Sequence, residues 1–130
     1  MKSTLPILLV DDDPSYRTML RYRLEALGYQ VLEAEDGDQG YRIASGKPLQ
    51  LVIVDMVMPK SEGLETIARL RCEGVHTKIL AISGAGRSPV YLDVAAKLGA
   101  DAIMDKVRPM SELLGKVQTL AGDVNPLAAD

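Results

Sequence analysis

ILLVDD at residues 7–12 and LVIVD at residues 51–55 are the segments that most clearly indicate the architecture of this chain. In both stretches, an uninterrupted run of branched apolar residues ends directly at aspartate. Such runs are typical of short strands that are buried on both faces, as in a parallel sheet covered by helices. Because the strands of one parallel sheet end at the same edge, Asp11, Asp12 and Asp55 are expected to meet there. That edge is where open α/β sheets bind ligands.

Three carboxylates in one crevice repel each other unless a cation or a proton shares the site. The pattern favours Mg²⁺, which takes oxygen ligands and keeps several waters in place, so that room remains for a phosphate. Two later strands add complementary groups, since ILAI at residues 79–82 leads to Ser83 and the strand around residues 102–104 leads to Lys106. We therefore expect a hydroxyl and an ammonium to act as donors to a phosphoryl group at the same edge.

Strand and helix patterns alternate five times along the chain, without a repeat or a shift in composition. Asp13 and Pro14 read as the N-cap and first residue of a helix, which Gly28 closes in a left-handed conformation. A second strand is predicted near residues 30–34, followed by a weaker helix near residues 39–44. Strands separated by helices of this length predict one parallel sheet with right-handed crossovers.

The later breaks in the chain follow proline and glycine. Pro59 and Gly63 are expected to interrupt the chain before the third helix, and Pro109 is expected to open the last one. Residues 122–130 have the composition of a frayed end, with no second domain predicted behind them.

Composition fits a single globular domain and disfavours several functions. The chain has 130 residues, of which 47% are hydrophobic and 25% charged, enough to bury one core. A net charge of −3 without a basic stripe gives no reason to expect binding of nucleic acid or of an anionic membrane. Neither a membrane span nor the apolar region of a signal peptide is predicted. The single cysteine, Cys72, excludes an internal disulfide, so we expect the reducing cytoplasm.

Several motifs in a fixed order together identify a family. The motifs are VDDDP at residues 10–14, VDMVMP at 54–59 with Gly63 after it, Ser83-Gly84, and GAD at 99–101 followed by Lys106. With these motifs, the chain resembles the receiver domain of bacterial two-component response regulators over roughly residues 5–121. The resemblance implies a doubly wound, flavodoxin-like (βα)5 fold with strand order 2-1-3-4-5. It implies a receiver domain at residues 1–121 and a C-terminal tail at residues 122–130.

The resemblance also implies how the acidic residues act. Asp55 would be the phosphoacceptor and would attack a phosphoryl group carried on a histidine of a sensor kinase or a phosphotransfer protein. Mg²⁺ would be bound directly by Asp12, by Asp55 and by the backbone carbonyl of Val57. Asp11 would act on the metal mainly through water.

The same resemblance assigns the phosphoryl contacts to Ser83 and Lys106, and it implies a signal passed to a downstream protein rather than turnover of a substrate.

Two positions depart from the family pattern. Val107 stands where the family usually has a cis-proline, so we expect the Lys106–Val107 peptide bond to be trans. Ile103 stands at the family's aromatic switch position, so no large ring can swing there.

Two other classes of function stay open at this point. A phosphatase with an aspartyl-phosphate intermediate is disfavoured, because haloacid-dehalogenase-like enzymes usually carry an aspartate two residues after the nucleophile, where this chain has Val57. A pseudo-receiver, which binds partners without being phosphorylated, is disfavoured by the intact acidic site. The departures at Ile103 and Val107 nevertheless keep the pseudo-receiver open.

Overall fold

The computed structural model describes residues 5–56, 62–84 and 88–122, and within them strands and helices alternate along the chain. The strands are β1 (Ile7–Val10), β2 (Val31–Ala34), β3 (Leu51–Asp55), β4 (Ile79–Ser83) and β5 (Ala102–Asp105). The helices are α1 (Pro14–Ala26), α2 (Gly37–Gly46), α3 (Glu62–Cys72), α4 (Ser88–Leu98) and α5 (Met110–Ala121). The strands form one parallel sheet in the order β2-β1-β3-β4-β5, which confirms the predicted fold class and strand order.

The central strands are buried on both faces, as their unbroken apolar runs predict. Successive residues of a strand point to opposite faces, so Leu8 and Val10 join one core while Ile7 and Leu9 join the other. The first core is covered by α2, α3 and α4, and the second by α1 and α5. Residues that follow these strands therefore emerge between two helical layers, at the carboxyl edge of the sheet.

The local signals at the ends of α1 are confirmed. The carboxylate of Asp13 accepts hydrogen bonds from the backbone N–H groups of Ser15, at 3.0 Å, and Tyr16, at 3.3 Å. Pro14 is the first helical residue, where a missing N–H costs nothing. Gly28, just beyond the helix, has a φ of +100°. The cap fixes where the chain turns away from the acidic pair at the end of β1.

Helix α2 extends over Gly37–Gly46, further than the predicted residues 39–44. Gly40 lowers helix propensity, but tertiary packing requires it, because a Cβ there would lie 2.7 Å from Cγ2 of Val10. The prediction that Gly63 interrupts the chain is wrong, since Gly63 is the second residue of α3.

Within the ranges that the structure describes, no helix combines the length and apolar character needed to cross a membrane.

Candidate functional site

Three aspartates meet at the carboxyl ends of β1 and β3. Asp11 and Asp12 follow β1, and Asp55 is the last residue of β3. Because Val10 lies in register with Val54, the residues that come next on the two strands are neighbours. One carboxylate oxygen from each aspartate lies within 4.8 Å of the other two. Asp11 and Asp55 are each only 3% exposed, whereas Asp12 is exposed to solvent.

The donor set fits Mg²⁺. All three groups offer carboxylate oxygens, the ligands that hard divalent cations prefer, and these oxygens lie close enough together to hold one ion directly or through its bound water. Asp12 lies on the solvent side, which leaves space for the waters that Mg²⁺ retains. Val57, whose carbonyl is a further expected ligand, lies outside the described residues.

Lys106, just beyond β5, places its ammonium on two of these carboxylates. Its Nζ lies 2.8 Å from Oδ2 of Asp11 and 3.3 Å from Oδ2 of Asp55. Burial would lower the pKa of Lys106, but the hydrogen bond to Asp11 and the charges of Asp55 and Asp11 outweigh it, so the pKa is raised. The amine therefore carries a positive charge at neutral pH and partly offsets the repulsion between two buried carboxylates.

The backbone of β4 and β5 sets the starting point of this lysine. Ser83 lies in register with Asp105, and the backbone N–H of Lys106 donates to the carbonyl of Ser83 at 2.7 Å. The carboxylate of Asp105 accepts from the N–H of Val107 at 2.9 Å and so turns the chain. No cis peptide bond occurs in the described part of the chain, so the predicted trans bond between Lys106 and Val107 is confirmed.

Ser83 ends β4 and is fully buried in this structure. Ile82 lies in register with Asp55, so the structure brings Ser83 to the same edge as the acidic cluster. A Cβ on Gly84 would lie 3.5 Å from Cδ of Lys106, which is an ordinary van der Waals contact. Residues 85–87, which continue this loop, lie outside the described residues.

Gly63 brings the start of α3 against the end of β3. A Cβ on this residue would lie 2.3 Å from the carbonyl oxygen of Asp55 and 2.8 Å from Cε of Met56. Real Cβ atoms do not approach other atoms so closely, so any side chain here would displace the helix or the strand. The glycine thus determines how closely the helix packs behind Asp55.

Two side chains of α1 reach the site although the sequence pattern does not assign them to it. Tyr16, whose helical spacing indicates only a core residue, places its ring centroid 4.1 Å from Nζ of Lys106. Nη1 of Arg17 donates to the carbonyl oxygen of Asp11 at 2.5 Å, and its Nε donates to Glu33 at 2.9 Å. Both residues stand in the first turn after the acidic pair, and that position is the one sequence signal that could have found them.

Comparison with known proteins agrees with this geometry. Residues 7–118 match the model of the response regulator receiver domain. The chain therefore belongs to the receiver domain family of response regulators. Members of this family are signalling modules, and the match places the chain in two-component signalling.

Individual relatives give the same result. The alkaline phosphatase synthesis transcriptional regulatory protein PhoP of Bacillus subtilis is 32% identical, over 88% of this chain and 47% of its own length. The response regulator MprA of Mycobacterium sp. (strain KMS) is 34% identical, over 92% of this chain and 52% of its own length. The chain thus spans about half the length of these curated relatives.

Among solved structures, the response regulator protein TrrA of Thermotoga maritima, crystallised in complex with Mg²⁺–BeF, superimposes with a TM-score of 0.79. It is 31% identical, and the alignment covers 92% of this chain and 99% of that one. The fold of this chain is therefore shared over nearly the whole length of a receiver structure.

Proposed function

We propose that this receiver domain takes a phosphoryl group onto Asp55 from a phosphohistidine of a sensor kinase or a phosphotransfer protein. The observation that carries the proposal is the cluster of Asp11, Asp12 and Asp55, with the ammonium of Lys106 on two of its carboxylates. Phosphoryl transfer depends mainly on in-line positioning and on neutralising charge, and this arrangement supplies cationic and metal-binding groups around one nucleophile.

In the transfer step, a carboxylate oxygen of Asp55 forms a bond to phosphorus as the phosphorus–nitrogen bond to the donor histidine breaks. The imidazole leaves with the electron pair of that bond. No general base is needed, because the carboxylate nucleophile is already ionised at neutral pH. Lys106, whose Nζ lies 3.3 Å from Oδ2 of Asp55, would then move onto the oxygens of the incoming phosphoryl group.

Mg²⁺ would be held directly by Asp12, by Asp55 and by the carbonyl of Val57, with Asp11 acting mainly through water. The bound cation offsets the repulsion between carboxylate and phosphate. Support comes from the all-oxygen donor set and from the related TrrA structure, which was solved with Mg²⁺–BeF.

Ser83 is the proposed start of the route by which the signal leaves the site. Its hydroxyl would turn to the phosphoryl oxygens and draw the following loop with it, biasing the start of α4 towards a second arrangement. The absence of an aromatic ring at Ile103, which is 40% exposed on β5, supports a route through this loop instead of a ring rotation. An unidentified downstream protein would read the altered surface.

We also propose the limits and setting of the domain. The receiver would comprise residues 1–121, with residues 122–130 as a C-terminal tail, since α5 ends at Ala121. The domain would work in the cytoplasm and would contact neither nucleic acid nor membrane itself, in keeping with its net charge of −3.

Intact mass after incubation with acetyl phosphate and Mg²⁺ tests the chemistry. We expect one stable phosphoryl group on the parent and none on Asp55→Asn, which keeps the shape but removes the nucleophile. No addition to the folded parent would support a pseudo-receiver, and continuous phosphate release with turnover would support a phosphatase. A phosphoryl group mapped to Ser83, or to His76, the single histidine of the sequence, would show that Asp55 is wrongly assigned.

The metal assignment is tested by thermal melts with and without Mg²⁺. Asp12→Ala should lose more of the Mg²⁺-dependent stabilisation than Asp11→Ala, because Asp12 is assigned direct ligation. Asp13→Ala is the matched control, since it removes the third carboxylate of the same run, which caps α1. Equal stabilisation of the parent and Asp12→Ala by Mg²⁺ would overturn the assignment.

A further inference from the structure

We infer that Tyr16 is a positioning residue for Lys106, because its ring holds the lysine ammonium against the carboxylates of Asp11 and Asp55. The ring centroid lies 4.1 Å from Nζ, well inside the roughly 6 Å over which a cation is attracted to an aromatic face. The same Nζ contacts Asp11 at 2.8 Å and Asp55 at 3.3 Å. The ammonium is therefore held between an aromatic surface and two anions. The effect on phosphorylation rests on the proposed function above.

Tyr16 is itself held in place, so its ring can restrict the positions of the Lys106 ammonium. Its backbone N–H is capped by Asp13 in the first turn of α1. Its side chain packs against the core that contains Leu9, Leu20 and Ile82. Burial raises the pKa of Tyr16, and the charge of Lys106, which lowers this pKa, only partly opposes it, so the phenol stays neutral near pH 7. A neutral ring attracts the ammonium through its π face and competes little with the carboxylates for it.

Lys106 depends on this restriction because the residue that follows it is exposed to solvent. Val107 is 80% exposed, and its N–H and that of Arg108 both bond to Asp105, so the turn is closed locally. A lysine stem has several rotatable bonds, so ordering it costs side-chain entropy. The ring limits the positions open to the ammonium before a phosphoryl group arrives, and keeps it within reach of that group afterwards.

The test compares Tyr16→Phe, which keeps the ring and removes the hydroxyl, with Tyr16→Leu, which keeps apolar bulk and removes the ring. The first measurement needs no phosphorylation. NMR shifts of the Lys106 methylene protons next to Nζ should be displaced upfield by the ring current in the parent and in Tyr16→Phe. They should return to ordinary lysine values in Tyr16→Leu, and a Lys106→Met variant assigns the signals.

The second measurement is the rate of phosphorylation by acetyl phosphate at saturating Mg²⁺. We expect Tyr16→Phe to stay within about twofold of the parent and Tyr16→Leu to fall about tenfold, in line with a cation–π contribution of this order. Tyr16→Leu should still be stabilised by Mg²⁺, since the aspartates are unchanged.

The outcomes separate this inference from the proposed function. A parent that is never phosphorylated refutes the proposed function, and the NMR shifts then decide the role of Tyr16 alone. Lys106 signals without upfield displacement in the parent overturn the inference, even if Tyr16→Leu fails to fold. Equal phosphorylation rates of the parent and Tyr16→Leu overturn it as well.

Discussion

Substituting alanine at Gly63 should destabilise the protein, although the same change elsewhere in a helix stabilises it. In a helix interior, alanine is favoured over glycine by about 1 kcal/mol, because it loses less backbone entropy on folding. Gly115 in α5 offers a matched control, since a Cβ placed there would meet no atom of the described residues within 4 Å apart from its chain neighbours and the nearby backbone of its own helix. Gly115→Ala should therefore raise the free energy of unfolding by about 0.5–1 kcal/mol.

The magnitude at Gly63 follows from its contacts. A Cβ would lie 2.3 Å from the carbonyl oxygen of Asp55 and 3.1 Å from Cα of Met56, and neither backbone atom can rotate away. Close carbon–oxygen contacts in proteins are about 3.3–3.6 Å, so α3 must move by about 1 Å. Overpacking of this kind costs about 1–3 kcal/mol, and the gain in propensity at the second helical residue recovers only part of it. We expect Gly63→Ala to lower the free energy of unfolding by about 1–2 kcal/mol.

Urea denaturation followed by circular dichroism measures these differences. The midpoint should fall for Gly63→Ala and rise for Gly115→Ala, with the slope against urea unchanged in both. Because the displaced atom belongs to Asp55, the Mg²⁺-dependent shift of the midpoint should also shrink in Gly63→Ala and persist in Gly115→Ala. If Gly63→Ala were as stabilising as Gly115→Ala, the close approach of α3 to Asp55 would be refuted.

Three further predictions concern caps and charges. Asp13→Ala should lower the free energy of unfolding by about 1 kcal/mol, because two backbone N–H groups of α1 lose their acceptor. Asp13→Ser should retain most of the stability, because serine also caps helices. Equal urea midpoints for the parent and both variants would contradict the role of Asp13 as a cap. Lys106→Met should destabilise the metal-free protein, but by less than the roughly 3–5 kcal/mol lost when a fully buried ion pair is broken, since the Lys106 side chain is 19% exposed. The same variant should bind Mg²⁺ more tightly in calorimetry, because the amine no longer competes with the ion for two buried carboxylates. The hydrogen bond from Arg21, with that from Arg17, lowers the pKa of Glu33 in the folded protein. The ionised Glu33 therefore stabilises the fold above its ordinary pKa of 4.5, and this stabilisation is lost as pH falls through the lower folded pKa. Glu33→Gln should thus cost about 0.5 kcal/mol near pH 7, discounted for the exposure of Arg21, and melts below pH 4 should show the difference from the parent shrinking.

The class of fold, and the edge of the sheet at which the acidic groups meet, could be predicted from the residues before the structure was known. The runs that end at Val10 and Val54 contain no polar residue, so both faces of each strand had to be covered, and a parallel sheet follows. Parallel strands share their carboxyl edge, which is why Asp11 and Asp55 could be placed together from their positions alone. The N-cap at Asp13 was equally readable, because capping depends on neighbouring residues only.

Contacts between side chains of separate elements could not be predicted in this way, because they depend on how the elements pack in three dimensions. Periodicity places Tyr16 on the apolar face of α1, but the approach of its ring to Lys106 depends on how α1 is placed relative to the chain that follows β5. From the sequence, Gly40 reads as a weak point within a helix and Gly63 as a break before one, whereas each is the place where a helix packs without room for a Cβ. For residues other than proline, helix propensity is a local quantity of at most about 1 kcal/mol per residue, and close packing between elements overrides it.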